Sequence, residues 1–248
     1  TGSLFALAKA CKEAGIRSSL CYEVSDRDGA AIMQEGIKEN MDFIRHAQKE
    51  GDDALSGMFG LHASMTLSNA TLEKCAHAMS GCDAGYHVHV AEGPGDEPDS
   101  EKKYGKRILQ RFKEFGITGD KSIAVHCIHV NSEEMDILKE TKTAVVHNPE
   151  SNMGNAVGTT PVLEMMRRGI LVGLGTDGYV SDMLQSYKMA NALQKHHNQH
   201  PNVAWSEIPT MLFENNIAIA ARCFKTPVGR LEAGYSGDVI ISDYLPPT

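Results

Sequence analysis

The chain has 248 residues, of which 42% are hydrophobic and 23% are charged, and these proportions exclude disordered, fibrous and polytopic membrane proteins. The length fits one or two ordinary domains and also a single α/β barrel, a fold of about 250 residues. The formal net charge is −8, and the acidic residues are spread along the chain without the basic stripe that a nucleic-acid-binding protein needs.

Apolar periodicity predicts helices and strands that alternate along most of the chain. Helices are predicted at 3–14, 30–49, 69–80, 99–115, 132–140, 160–168, 181–196 and 206–222. Strands are predicted at 17–22, 56–61, 85–90, 122–126, 143–146 and 170–174. Most of these strands are apolar on both faces, which is typical of buried parallel strands. The alternation therefore predicts an α/β fold with a parallel sheet, either open or closed into a barrel.

The two ends of the chain and its cysteines add further expectations. Residues 229–243 are predicted as two turns and a strand with no helix after it, so the chain leaves the alternating pattern there. Six cysteines without a C-x-x-C pair are typical of reduced thiols in a cytoplasmic protein. No stretch approaches the roughly 20 apolar residues of a membrane span, and no signal peptide is evident near the N-terminus.

Polar residues of catalytic types follow five consecutive predicted strands. In chain order these residues are His62, then His87, His89 and Glu92, then His126 and His129, then His147, Asn148 and Asn152, and finally Asp177. Active sites of parallel β/α folds form at the carboxyl ends of the strands. We therefore expect these imidazoles and carboxylates to lie at one rim of the sheet.

Each of these motifs has an ordinary structural explanation when taken alone. His87 and His89 share one strand face, and an isolated pair of this kind is more often packed in a core than bound to metal. Gly175-Thr176-Asp177-Gly178 is a common tight turn, and His147-Asn148-Pro149 is also typical of a turn. Because the ordinary explanation would require a coincidence at every successive strand, the sequence favours a functional site.

Metal-assisted hydrolysis is the chemistry that these residue types support. Neutral imidazole and carboxylate ligands suit a borderline divalent ion such as Zn²⁺, or Fe²⁺. His89 and Asp177 are the candidate metal ligands, and Glu92 is the candidate that takes a proton from water and delivers it to a leaving group. A metal needs at least three ligands, so these two are too few.

Four motifs together resemble the amidohydrolase superfamily. They are His89-x-x-Glu92, His126-Cys127-Ile128-His129, His147-Asn148-Pro149-x-Ser151-Asn152 and Gly175-Thr176-Asp177-Gly178. The chain is most similar to the aminohydrolase/chlorohydrolase branch, which includes cytosine, guanine and S-adenosylhomocysteine deaminase-type enzymes. Two further segments, 22–27 and 61–64, resemble the SsnA-type aminohydrolases of that branch.

The resemblance implies a distorted TIM-type (β/α)8 barrel with one divalent metal and a small β-sandwich built from both chain ends. It implies that His89 is the fifth-strand metal ligand, that Asp177 is the eighth-strand ligand, and that Glu92 is the proton shuttle. His126 would hydrogen-bond the attacked or metal-bound oxygen, which places Glu92, His126 and Asp177 in the catalytic group. His62 and His126 would line the substrate pocket, with Asn148 and Asn152 shaping the adjacent loop.

The chain departs from this family pattern at its start. The His-x-His pair that supplies two metal ligands on the first strand is absent, because His87-Val88-His89 is followed by the fifth-strand glutamate. The six predicted strands then correspond to strands three to eight of the barrel, within residues 1–228, and 229–248 is the return segment into the small sandwich. We therefore expect this chain to be a fragment of a longer protein, with weak metal occupancy and no activity on its own.

Three functions remain open from the sequence. The first is a deaminase that hydrolyses the C–N bond at an amidine-like carbon of a purine, pyrimidine or related heterocycle. The second keeps the same site but expels chloride or an amide nitrogen, because the same hydroxide serves all of these reactions. The third is a non-catalytic member that binds a ligand. The expected partner is a small heterocyclic substrate, and relatives of this type often form homodimers.

Overall fold

A computed structural model describes residues 2–241, 243 and 245 of the chain. Its strands are β1 (Ser18–Leu20), β2 (Leu55–Gly57), β3 (Phe59–Ala63), β4 (Tyr86–Val90), β5 (Ile123–His126), β6 (Ala144–His147) and β7 (Val172–Leu174). Its helices are α1 (Leu4–Glu13), α2 (Gly29–Glu50), α3 (Asn69–Ala78), α4 (Asp96–Tyr104), α5 (Ile108–Glu114), α6 (Ser132–Thr141), α7 (Pro149–Gly154), α8 (Val162–Arg167), α9 (Met183–Asn198), α10 (Glu207–Thr210) and α11 (Asn216–Ala220). A 3-10 turn (Ser64–Thr66) follows β3, and a π-helical turn (Met211–Asn215) joins α10 to α11.

The strands pair in parallel and in the order of the chain. β3, β4, β5, β6 and β7 form one sheet, and β1 pairs in parallel with β2. A parallel bridge between Val24, which follows β1, and Leu61 on β3 connects the two sheets. The strand predicted at 56–61 is divided at Met58 between β2 and β3. Met58 N donates to Leu20 O at 3.0 Å, on the β1 side, whereas Phe59 N donates to Gly85 O, on the β4 side. This sequential order without a reversal is that of a (β/α) barrel, so the predicted fold class is confirmed as part of such a barrel.

The hydrophobic core lies between the outer face of the sheet and the surrounding helices. Along β4, Tyr86, Val88 and Val90 are buried against helix residues, while His87 and His89 point to the opposite face and are half-buried. Because side chains alternate across a strand, one face of β4 supplies the packing and the other presents two imidazoles. Leu72, Phe112, Leu138 and Met165 are among the buried helix residues of the same core.

Two predicted helices are interrupted in the structure. The helix predicted at 99–115 is two helices, α4 and α5, because Gly105 ends α4 in the left-handed conformation at φ 68°. The helix predicted at 160–168 begins only at Val162, after Pro161, which occupies the N-cap position. The short helix α7 was not predicted, since its segment has the composition of a turn.

The C-terminal segment contains turns but no assigned strand among its described residues up to Ile241. Two residues, Ser242 within the predicted segment and Tyr244 just after it, lie outside the described residues. Arg17 holds the segment against the start of β1, donating from Nε to Asp238 Oδ2 at 2.8 Å and stacking 5.0 Å from the Phe224 ring. That 229–248 enters a second domain stays a prediction.

Within the part of the chain that the structure describes, every helix is too short or too polar to cross a bilayer.

The turn that follows β3 is held by a buried arginine. Arg111 on α5 is 1% exposed, and its guanidinium lies 3.7 Å from the Tyr104 ring centre. It donates to the Ser64 carbonyl at 3.2 Å, to the Leu67 carbonyl at 2.5 Å and to Asn69 Oδ1 at 2.7 Å. These acceptors are neutral, so the hydrogen bonds of the guanidinium serve to fix the turn, while Asp26 and Asp99 nearby stabilise its charge.

We predict that Arg111→Leu lowers the free energy of unfolding by about 3 kcal/mol or more, because it leaves several buried acceptors without a donor. Lys113→Ala is the matched control on the same helix, since Lys113 forms an exposed ion pair with Glu140 and its loss should cost less than about 1 kcal/mol. Urea unfolding of both variants measures the difference. Equal losses in the two variants would contradict the assigned role.

Two buried carboxyl groups meet beside Arg107 and the start of α5. Glu97 accepts from Ile108 N at 3.1 Å, and Glu134 accepts from Leu109 N at 3.0 Å and from Arg107 Nε at 2.8 Å. Burial raises the pKa of Glu97 to about 8, and the neighbouring Glu134 carboxylate adds to the rise. The arrangement therefore favours a proton on Glu97, which removes the repulsion between the two buried carboxyl groups.

This pair predicts a pH dependence of stability. Because the pKa of Glu97 is higher in the folded chain than in the unfolded chain, the folded chain holds more protons between about pH 5 and pH 8, and stability falls as the pH rises through that window. Glu97→Gln should flatten this slope, whereas Glu114→Gln, at an exposed ion pair, should keep it. Unfolding free energies at pH 6 and pH 8 measure both slopes, and an unchanged slope in Glu97→Gln would refute the assignment.

Candidate active site and metal centre

The carboxyl ends of the parallel strands bring the predicted polar residues to one rim. In the registered pairs, Ala63 lies opposite His89, His89 opposite Val125, and Val90 opposite His126. A register irregularity between Leu61 and Ala63 leaves His62 unpaired with β4, at the end of β3. The sheet therefore places His62, His89 and His126 side by side on three neighbouring strand segments.

One cluster at this rim consists of Glu92, His126 and Asp177. His126 Nε2 lies 3.6 Å from Glu92 Oε2 and 3.7 Å from Asp177 Oδ2. His126 is fully buried, whereas the two carboxylates remain about 30% exposed. The His89 ring stacks on the His126 ring at a centroid distance of 5.6 Å. The three predicted catalytic residues thus meet around one imidazole nitrogen.

The backbone at these strand ends is in the left-handed region, which is costly for residues with a side chain. Ala91, before Glu92, has φ 47°, His126 has φ 70° and Asp177 has φ 53°. Hydrogen bonds between neighbouring strand ends hold this conformation, including Ile128 N to Ala91 O at 3.1 Å. These strained turns direct the side chains of Glu92, His126 and Asp177 across the rim.

Asp177 is held in its ionised form. Ser151 Oγ donates to its Oδ2 at 2.5 Å, and Gly178 N donates to its Oδ1 at 2.7 Å. Burial alone would raise the pKa of Asp177, but these two donors and the nearby imidazoles of His126 and His89 outweigh burial and lower it. An ionised carboxylate at the rim is suited to bind a cation.

A second cluster lies beside the first and consists of Glu23, His62 and His89. Glu23 Oε1 is 3.6 Å from His89 Nδ1, and that nitrogen lies 2.6 Å from the His62 carbonyl oxygen. Because a carbonyl only accepts, Nδ1 carries the proton and His89 Nε2 keeps its lone pair. Among the described residues, His89 and Asp177 thus belong to adjacent groups of possible ligand atoms rather than to the same one.

The donors at this rim fit a borderline divalent metal. His89 offers an imidazole lone pair, Asp177 offers a carboxylate, and the buried His126 Nε2 has no hydrogen-bond partner. A buried polar atom of this kind can take a water molecule or a metal-bound oxygen as its partner. This donor set of imidazole and carboxylate is the one that zinc and ferrous iron use.

His62 presents an acceptor to the space beside this cluster. Thr66 Oγ1 donates to the Ala63 carbonyl at 3.1 Å, so it accepts from His62 Nδ1 at 2.6 Å, and His62 Nε2 keeps its lone pair. Burial lowers the pKa of His62, and Glu23 opposes that effect only in part, so this imidazole is neutral.

The two asparagines predicted to shape the substrate loop lie behind the imidazoles. Asn152 is fully buried and its Oδ1 lies 2.9 Å from His126 Nδ1, while Asn148 is 2% exposed and contacts the strand end near Gly175. Asn152 thus orients the His126 ring, and Asn148 lies buried beside the strand end.

The remaining histidines of these motifs are His87, His129 and His147. His129 Nε2 bonds the Val157 carbonyl at 2.9 Å, which supports the loop. Burial lowers the pKa of His87 to about 4, with His89 and His126 adding to the effect. Burial likewise lowers the pKa of His147 to about 3, and its Nδ1 lies 3.0 Å from Thr160 Oγ1.

The sequence patterns assign no role to Glu23, Ser151 or Thr160. Glu23 has a recognisable signal, since it follows a predicted strand in the same way as the other rim residues. Ser151 lies within a quoted motif, but its partner Asp177 is 26 residues away. Thr160 has no signal of its own, because its partners come from two other strand ends.

Comparison with known proteins agrees with this geometry. The chain is 30% identical over 241 residues to a 5-methylthioadenosine/S-adenosylhomocysteine deaminase of Thermoanaerobacter pseudethanolicus, covering 96% of this chain and 56% of that protein. It is 30% identical over 240 residues to a 5'-deoxyadenosine deaminase of Methanothermobacter thermautotrophicus, covering 95% of this chain and 55% of that protein. The crystal structure of a zinc-bound adenosine deaminase from Xanthomonas campestris superposes with a TM-score of 0.81 at 25% identity, covering 93% of this chain and 53% of that one.

These matches extend over nearly all of this chain and over about half of each relative. Residues 2–248 match the model of the Amidohydrolase family. The order of the parallel strands, the rim of imidazoles and carboxylates, and this match over the whole described chain show that the chain belongs to the amidohydrolase family.

Proposed function

We propose that the protein carrying this chain is a metal-dependent aminohydrolase that removes an amino group from an amidine-like ring carbon. The observation that supports this most is the meeting of Glu92, His126 and Asp177 around one buried nitrogen. The relatives of similar sequence are deaminases by name, which favours ammonia as the leaving group. The chain spans about half of their length, so this activity is proposed for the whole protein.

His89, through Nε2, and Asp177, through its carboxylate, are the residues of this chain proposed to hold the metal. Two further histidine ligands, of the kind that the family resemblance implies for a first barrel strand, are part of this proposal. Zinc is the proposed ion, because imidazole and carboxylate suit it and a solved relative is described with bound zinc. When bound, such an ion lowers the pKa of a water molecule and so supplies hydroxide near neutral pH.

Glu92 is placed to move the proton. Its carboxylate lies at the open side of His126 and is 28% exposed, so it can meet both an attacking water and a leaving amine. Its backbone N–H donates to Asp96 Oδ2 at 2.9 Å, which fixes the turn after β4. His126 Nε2, on the buried side, can accept a hydrogen bond from the attacking oxygen and orient it.

The proposed substrate is a purine-type heterocycle or its nucleoside. His62 Nε2 is an acceptor, so it would pair with an N–H or O–H group of the substrate. The names of the similar relatives point to adenosine derivatives. Within the family we propose membership of the SsnA-type group, supported by the segments 22–27 and 61–64, of which Glu23 and His62 lie at the rim.

A cytoplasmic location is proposed on the basis of the six cysteines, which are all free thiols. Burial raises the pKa of Cys75 to about 12, and that of Cys21 to a similar value, so these two thiols are unreactive. Assembly as a homodimer and the absence of nucleic-acid binding stay predictions.

In the full-length protein, we predict that Glu92→Gln retains the metal but lowers kcat by about 10²- to 10⁴-fold, because the amide cannot relay a proton. Metal content by mass spectrometry and ammonia release from a panel of purines, adenosine derivatives, pyrimidines and triazines measure the two effects. Glu101→Gln, at an exposed position on α4, is the matched control and should keep full turnover.

The same panel tests the reaction itself. Chelation of the metal should abolish ammonia release, and zinc should restore it. Chloride release without ammonia would replace deamination by dechlorination. A Glu92→Gln protein that keeps most of the parental turnover would remove Glu92 from the proposed role.

A further inference from the structure

We infer that Thr160 is a positioning residue whose hydroxyl, through the Asn152 amide, determines which ring nitrogen of His126 carries the proton. Thr160 is fully buried and precedes Pro161 at the start of α8. The inference rests on the proposed function only in assigning His126 to the reaction. What it says about the structure concerns only the tautomer of the His126 ring.

The Thr160 hydroxyl has three close partners. Its Oγ1 lies 2.8 Å from the His126 carbonyl oxygen, 3.0 Å from His147 Nδ1 and 3.2 Å from Asn152 Nδ2. A hydroxyl has one proton to donate and two lone pairs that accept. Three partners therefore use its whole capacity.

The direction of each bond follows from one partner that cannot donate. The His126 carbonyl only accepts, so the Thr160 proton must point at it. The other two partners then donate to Thr160 Oγ1, which places a proton on His147 Nδ1 and turns the Asn152 amide nitrogen toward Thr160, with His147 Nδ1 farther from that nitrogen at 3.4 Å. The hydroxyl thus sets the orientation of the Asn152 amide.

The orientation of Asn152 in turn sets the protonation of His126. With its nitrogen toward Thr160, Asn152 directs Oδ1 at His126 Nδ1, at 2.9 Å. An amide oxygen only accepts, so His126 Nδ1 carries a proton, and in the neutral ring Nε2 keeps its lone pair. That nitrogen is the buried atom without a partner that lies between Glu92 and Asp177.

The same hydroxyl also stabilises the backbone from which His126 projects. His126 has φ 70°, and its carbonyl accepts the Thr160 proton. A hydrogen bond to this carbonyl helps to offset the cost of the left-handed conformation. Without the hydroxyl, neither the His126 tautomer nor its backbone conformation would be fixed by this residue. Serine keeps the hydroxyl and should therefore maintain both.

The test is a long-range proton–nitrogen NMR measurement on histidine-labelled chain, with the His126 signals assigned by His126→Gln. The parent should show the proton on Nδ1 and an unprotonated Nε2 at neutral pH. Thr160→Ser should keep this pattern, while Thr160→Val, which has the same shape without the hydroxyl, should raise the fraction of Nε2–H several-fold. Thr160→Ala provides a second hydroxyl-free variant if valine does not fold.

Several results would overturn the inference. One is a parent His126 with its proton on Nε2, a result that needs no variant. Another is a folded Thr160→Val or Thr160→Ala protein with the parental tautomer. In the full-length enzyme, kcat should fall at least tenfold in Thr160→Val with little change in KM and should be restored in Thr160→Ser. Because the NMR measurement needs no turnover, a failure of the proposed reaction is distinguishable from a failure of this inference.

Discussion

Parallel pairing of the strands in chain order is the constraint on which the rest of this structure depends. Since each strand has its carboxyl end at the same rim, residues far apart in sequence, such as His62, His126 and Asp177, are brought together there. The outer face of the same strands supplies the buried apolar residues. The sheet therefore separates packing, on the helix side, from chemistry, at the rim.

Behind the rim, hydroxyl and amide groups give each imidazole a defined orientation. Thr66 accepts from His62, the His62 carbonyl accepts from His89, and Asn152 accepts from His126. In all three rings the proton lies on Nδ1, which leaves Nε2 as the lone pair available at the rim. An imidazole nitrogen with a free lone pair is what both a divalent metal and an N–H group of a substrate require. The strained backbone at His126 and Asp177 is maintained by the same hydrogen-bonded surroundings.

Much of the fold was predictable because the signals are local. Apolar runs such as Ile123–Val125 and Ile170–Val172 indicate buried strands. All six predicted strand regions contain parallel strands in the structure. Helix limits were less predictable. Gly105 divides one predicted helix, because its left-handed conformation ends α4 whatever the apolar periodicity around it. The rim residues were predictable as a set, since histidine and acidic residues follow strand after strand.

By itself, the sequence determined the order of the elements, the parallel class of the sheet and the residue types at its rim. Each of these follows from the apolar periodicity or from short motifs of neighbouring residues. Only the tertiary structure decided which groups touch. Glu97 and Glu134 share a buried site, Ser151 holds Asp177, and Thr160 holds His126, each across 26 to 37 residues of chain. The physical reason is that hydrogen bonding and desolvation act over a few ångströms in space, and only the folded sheet brings these atoms that close.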